Sequence, residues 1–412
     1  MPPSDSPPVL VVGGGIGGLA AALALASVGV RVTLLEQAPT LGELGAGIQL
    51  GPNAFNALDC LGVGANARAR AVYIDKLVMM DAIDGREIAG IPVTEAFRAR
   101  YGNPYAVIHR ADIHKSILEG VEASPEITVR TGTRIEHFAQ DERGVVAFDA
   151  NGGEHRGAAL VGADGTKSAI RAAIVGDDRR ISGHVVYRAV VPIDEMPEDL
   201  RWNAACLWAG PNNHVVHYPL QGWRSFNLVV TFHSRERETG DVTEGSRDEV
   251  MSYFTEICDR PRALLDKPTQ WKRWSTADRD PVANWTQERA TLLGDAAHPM
   301  LQYLAQGAAM AIEDAVCLRE AVRLADLDFP RAFSLYQAAR ITRTARVQLA
   351  AREMGRIYHA AGVTRLVRNS LWEGRPPEKF YDALDWLYGW TAQHGLDAAL
   401  ADASSVDRRS SP

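Results

Sequence analysis

The sequence predicts an α/β protein: a parallel sheet of βαβ units, split along the chain by β-rich insertions and followed by helices. Three observations predict it. Aliphatic runs at Val9–Val12, Ala158–Val161 and Ala290–Leu293 have the texture of short strands buried on both faces, and each leads into a glycine-bearing turn. Between them, Val72–Ile91 and Val185–Phe232 alternate with period 2, as sheet strands with two unlike faces do. The 412 residues also exceed what one hydrophobic core organises.

Taken in order, Val9–Val12 reads as a strand, Gly13–Gly18 as a turn and Leu19–Ser27 as a helix that Gly29 ends. Arg31–Glu36 reads as the second strand of the unit. Gly42–Pro52 is glycine-rich and predicts a loop, and Ala54–Leu61 resumes helical patterning. Arg110–Val121 predicts a helix, Ile127–Thr131 and Val145–Ala150 predict strands, and Gly152-Gly153 predicts a hairpin turn between Ala150 and the apolar Ala158–Val161. Helices are expected at Gly307–Leu324 and Arg331–His359. The core α/β domain is therefore expected in three pieces, 1–71, 105–180 and 283–330. Its β-rich partner comes from 72–104 and 181–282, the C-terminal helices from 331–400, and a frayed tail from 401–412.

Composition narrows the function. Hydrophobic residues at 46% and charged residues at 23% support a folded core and exclude a mainly disordered chain. A net charge of −7 argues against non-specific nucleic-acid binding, which needs concentrated Lys and Arg. Cys60, Cys206, Cys258 and Cys317 are scattered, form no metal-ligand spacing, and are expected as reduced thiols of a cytoplasmic protein. Residues 9–30 lack charge, but their glycines break the run into strand, turn and helix, so no membrane span is expected. Met1–Pro8 has no basic stretch and reads as no signal peptide. The arginines at 340, 343 and 346 recur at helical spacing and predict a solvated or subunit-facing stripe.

Gly13-x-Gly15-x-x-Gly18 opens a helix directly after a strand, which makes it a Rossmann-like dinucleotide signature. Its glycines, with Ile16 and Gly17 between them, permit a tight turn and close approach of a pyrophosphate to free backbone N–H groups. Glu36 follows roughly 20 residues on, where an acid can bond a ribose. Gly162-Ala163-Asp164-Gly165-x-x-Ser168-x-x-Arg171 fits either a second cofactor loop or a simple turn. Gly294-Asp295-Ala296-Ala297-His298-Pro299 continues to Gly307-Ala308 at a helix start, where an acid and free N–H groups suit a polyhydroxyl chain. His298 itself is expected to shape the loop and not to act as a base.

These three motifs, in this order and spanning Val9 to about His394, resemble the class A flavoprotein monooxygenases, the single-component aromatic hydroxylases. The resemblance implies a p-hydroxybenzoate hydroxylase-like fold with non-covalent FAD. The pyrophosphate falls to Gly13–Gly18, the adenosine ribose to Glu36 and the ribityl chain to Asp295, with Pro299, Gly307 and Ala308 alongside. It assigns Asp164 to both FAD and a transient NADH or NADPH, puts Arg110 beside the FAD, and runs Gly47 and Gln49 beneath the flavin. In that family the reduced flavin and O2 form a C4a-hydroperoxide whose distal oxygen passes to an electron-rich ring. A homodimer is expected on the same ground.

On a strand, His214 and Tyr218 share one face and His217 the other. That pattern fits either a catalytic imidazole beside a phenol or two ordinary sheet histidines. With Gln302, Asp75 and the Phe380…Tyr388 tail, it resembles the 3-hydroxybenzoate 6-hydroxylases. The resemblance implies that His214 and Gln302 deprotonate or orient a phenol, and that Asp75 and Tyr218 line the site. The product would be gentisate. Salicylate 1-hydroxylase-like decarboxylation to catechol, a FAD oxidase or dehydrogenase, and a non-enzymatic binding protein on the same scaffold are the competing readings.

Overall fold

A computed structural model describes residues 6–42, 45–236 and 242–410, with side chains to residue 401. Its organising layer is a six-stranded sheet ordered Thr286–Gln287, Ala290–Leu292, Ala159–Gly162, Val9–Val12, Val32–Leu35, Ile127–Arg130. All neighbours are parallel except the Thr286–Gln287 hairpin partner at one edge. Val9–Val12 sits inside this sheet with every residue buried, as its aliphatic run requires. Helices Ile16–Ala26, Arg110–Glu122 and Gly307–Leu324 pack together against it. Sheet strands thus come from three separated stretches of chain.

The second layer is an eight-stranded sheet ordered Val242–Gly245, Trp271–Asp278, Arg180–Pro192, Ser225–His233, Asn213–Leu220, Ala204–Gly210, Lys76–Asp81, Glu87–Pro92. It is antiparallel apart from Lys76–Asp81 against Ala204–Gly210, the seam where the two insertions meet. Helices Arg247–Tyr253 and Asp259–Leu265 help close one face over Tyr187, Trp208, Phe232 and Phe254. The opposite face turns toward the parallel sheet and walls the cavity described below.

Three expectations change. Gly42–Pro52 is not all loop, because Gly47–Leu50 pairs as a strand with Ala106–His109, while residues 43 and 44 lie outside the described residues. The Gly152-Gly153 turn closes a hairpin between Gly144–Asp149 and Glu154–Gly157, one strand before the Ala158–Val161 run. The frayed tail is instead helical: Ala392–Ser410 is one helix, consistent with alanine's high helix propensity, and residues 411 and 412 lie outside the described residues. No helix among the described residues is long and apolar enough to cross a membrane.

Candidate active site

The first turn is shaped by sterics. Gly13 adopts φ +108°, and a Cβ on Gly18 would stand 1.8 Å from the Gly13 carbonyl oxygen, so neither position takes a side chain. Gly15 caps the Ile16–Ala26 helix in an extended conformation and, with Ile16 and Gly17, lines the cavity. The Glu36 carboxylate accepts from the Gly14 and Ala38 N–H groups, so the acid stands at the lip of the turn. His114 Nε2 supports it from behind, 2.8 Å from the Gly14 carbonyl oxygen. Sequence reading missed that residue, since a lone helical histidine carries no motif.

The other two motifs are fastened to each other. Asp164 accepts from Ser168 Oγ at 2.6 Å and from the Ala169 N–H at 2.8 Å, so its carboxylate helps hold its own loop. Ala163 and Gly165, its neighbours on either side, line the cavity, and Asp164 itself does not. Buried Arg171 donates to the Ala296 and Ala297 carbonyls and pairs with Asp177, binding this loop to the Gly294–Pro299 turn. Asp295 and Gly294 line the cavity, and Asp295 Oδ1 lies 3.8 Å from where a Gly307 Cβ would stand. Gly307 and Ala308 open the Gly307–Leu324 helix into the same space. Pro299 stays behind, its carbonyl accepting from Gln348.

Beneath these turns lies a buried ionic cluster. His298 Nε2 sits 2.6 Å from Asp314 Oδ2, which also accepts from the Gly294 N–H at 2.9 Å. Arg340 donates to Asp314 and Glu313, and Arg343 donates to Glu313. Burial opposes ionisation of Asp314, but His298 and Arg340 outweigh it and hold the carboxyl down at about 2. This corrects the expected arginine stripe. Arg340 and Arg343 face inward and are buried, while Arg346 stacks 4.1 Å from the Trp386 ring centroid. His298 shapes the loop, as anticipated.

The cavity, about 750 Å³, runs from the glycine turns to the inner face of the eight-stranded sheet. His214, Val216 and Tyr218 line it, while His217 is buried on the other face beside Trp202 and Phe226. Gly47, Gln49 and Arg110 also line it, and Gln49 accepts from Tyr105 at 2.7 Å. Gln302 lines it from the turn before Gly307, with Nε2 buried and unpartnered among the described residues. Gln306 Nε2 is in the same condition. Burial pushes the Tyr218 phenol well up. It also presses the His214 imidazole down to about 3, helped by His184 and His233, so the near-neutral base expected from sequence is not met by this ring alone.

Asp75 is not brought to the cavity. It is exposed, accepts from Asn203 Nδ2 at 2.8 Å, and joins the backbones of Asn203 and Val93 through its own N–H and carbonyl. A residue at the mouth of a sheet strand is used there as a joint, which removes it from the substrate-facing set. In its place Arg188 lines the cavity, its guanidinium lowered by burial yet favoured by Tyr218. Alternation along Arg180–Pro192 puts it on the cavity face, because Tyr187 points to the opposite core.

Comparison with known proteins agrees with this geometry. Residues 6–326 match the family described as FAD binding domain, so the chain belongs to the FAD-dependent class A aromatic monooxygenases. Over 396 residues, 95% of this chain and 99% of the relative, it is 61% identical to 3-hydroxybenzoate 6-hydroxylase of Polaromonas naphthalenivorans (strain CJ2). It is 55% identical to 3-hydroxybenzoate 6-hydroxylase of Klebsiella oxytoca over 94% of this chain and 98% of that one. A solved salicylate hydroxylase substrate complex shares the fold with a TM-score of 0.81 at 24% identity, covering 96% of this chain and 98% of that one.

The residues present fit FAD. The glycine-rich turn at Gly13–Gly18, the unpartnered Gln306 amide nitrogen and the Asp295 carboxylate beside Gly307 offer space, donors and an acceptor to a dinucleotide along one wall.

Proposed function

We propose that the chain hydroxylates 3-hydroxybenzoate para to its hydroxyl, so that substrate, O2, NADH and a proton give gentisate, NAD+ and water. The observation that carries the reading is a single cavity whose one wall suits FAD and whose facing sheet carries His214, Tyr218 and Arg188, with Gln302 lining it from the turn before Gly307. Relatives bearing the 3-hydroxybenzoate 6-hydroxylase name match nearly end to end, which supports the ring substrate.

When bound, FAD supplies the redox chemistry, taking hydride from NAD(P)H and activating O2. Gly13, Gly15, Ile16, Gly17 and Gly18 hold its pyrophosphate, Glu36 its adenosine ribose, and Asp295 with Gly307 and Ala308 its ribityl chain. Gly47, Gln49 and Arg110 border the flavin. Asp164 and Pro299 act one step back, by shaping the turns. The protein activates the ring: His214 takes the phenolic proton, Gln302 and Tyr218 orient the oxygen left behind, and Arg188 faces the carboxylate. A phenolate oxygen enriches the para carbon, which sets the position of attack. Met79, Ile91, Val216 and Leu384 keep the reacting region apolar and exclude water.

The three FAD-domain pieces and two substrate-domain pieces keep the boundaries given above in this reading, with a homodimer in the cytoplasm as the working assembly. Supplying hydroxybenzoates with NADH and identifying products tests the function. Gentisate from 3-hydroxybenzoate supports it, whereas catechol from salicylate as the main product would move the chain to the decarboxylating class.

A further inference from the structure

Burial disfavours a second proton on the His214 ring, and the structure offers somewhere for one to go. Its Nδ1 lies 2.7 Å from His359 Nε2, and His359 Nδ1 lies 2.9 Å from His233 Nε2. His214 lines the cavity, His359 is buried, and His233 is exposed at the end of its strand. The backbone holds this line in register. The Asn212 N–H donates to the His359 carbonyl at 3.1 Å, and the His233 N–H donates to the Asn212 carbonyl at 3.0 Å.

We propose that His214, His359 and His233 form a proton relay that carries the substrate's phenolic proton from the cavity to solvent. The clause on substrate rests on the function proposed above. At rest, His214 and His359 each carry hydrogen on Nδ1, donated to the next ring, and His233 carries hydrogen on Nδ1 toward water. The phenol O–H bond breaks as His214 Nε2 gains the proton. His214 Nδ1–H then passes to His359 Nε2, His359 Nδ1–H to His233 Nε2, and His233 Nδ1–H to water. One proton leaves per substrate, every ring ends neutral in its other tautomer, and the phenolate charge stays in the cavity.

The surroundings suit transit and not storage. Burial lowers the basicity of His214 and of His359, the latter well below the ordinary histidine value, so neither retains the proton. His184 stacks on His233 with centroids 4.1 Å apart, is bonded through Nδ1 to the Tyr303 hydroxyl, and feels Arg180 and Asp278. Tyr358 packs edge-on to His214. His184, His233 and His359 also bring nitrogens within 4.8 Å of one another, a spacing open to a metal ion. The His184 and His233 rings lie only 16° from parallel, so their in-plane lone pairs run side by side and do not converge on one ion.

The test is proton release, followed with an indicator dye when FAD-loaded enzyme is mixed rapidly with 3-hydroxybenzoate in weak buffer. His233→Ala should slow release by about 10²-fold, the low end of a positioned proton-transfer group's contribution, and added imidazole should restore it. His359→Phe keeps an aromatic ring but breaks the line inside the protein, so release should slow and imidazole should not restore it. FAD affinity and the flavin spectral response to substrate should be unchanged in both. Wild-type release rates in both variants would overturn the relay, as would a slow His233→Ala enzyme that imidazole leaves slow. A wild-type enzyme that forms no gentisate and releases no proton would instead contradict the function on which the relay rests.

Discussion

In the mechanism proposed, residues facing one way on one strand carry the chemistry. His214 and Tyr218 meet the cavity and His217 does not, which period-2 alternation already implied. His214→Ala should therefore cut hydroxylation by about 10²–10⁴-fold while FAD stays bound, with NADH consumption falling less and the surplus appearing as H2O2. His217→Ala should leave coupling near normal. Product and peroxide assays on the two variants check both statements. What sequence could not supply is His359, 145 residues from His214 along the chain and part of no motif. Asp75 failed for the opposite reason: family resemblance named it, but no local pattern said which way a residue at a strand mouth would face.

Among the elements, the glycine turns were the most legible because sterics permit so few residues there. Gly15→Val puts a branched side chain at the helix start that lines the cavity, and should abolish FAD retention through gel filtration without unfolding the chain. Circular dichroism together with flavin absorbance decides it. The Phe329–Tyr358 helix was legible as a helix but not in its orientation. Arginines at positions 340, 343 and 346 mark a polar face to any periodicity argument, and charge alone cannot distinguish water from buried carboxylates as its neighbour. Arg340→Ala leaves Glu313 and Asp314 buried without their shared cation, and should cost about 3–5 kcal/mol of stability in denaturant titration. Because Asp314 also holds Gly294 and His298, FAD affinity should fall with it.

The whole molecule places five burial-weakened histidines, His184, His214, His217, His233 and His359, in or behind one sheet. Each has a folded-state value below its ordinary 6.5, so the unfolded chain binds protons that the folded chain refuses. Their contribution to stability is complete above pH 6.5 and is lost progressively as pH falls, toward about 4 for His184 and about 3 for His214 and His217. Urea midpoints should therefore drop already between pH 7.5 and 5.5, before the carboxylates titrate. The two-layer plan behind this was readable from three apolar runs with their turns, whereas the seam between Lys76–Asp81 and Ala204–Gly210 was not, since pairing across more than 120 intervening residues leaves no local trace. In the function proposed, one cavity joins a flavin cradle to a phenol-activating wall. Turnover of 3-hydroxybenzoate by the FAD-loaded enzyme with NADH under isotopically labelled O2 tests that most directly. The expected product is gentisate that keeps its carboxylate and carries one labelled oxygen in the new hydroxyl. NADH oxidation yielding only labelled H2O2, or a product without label, would contradict it.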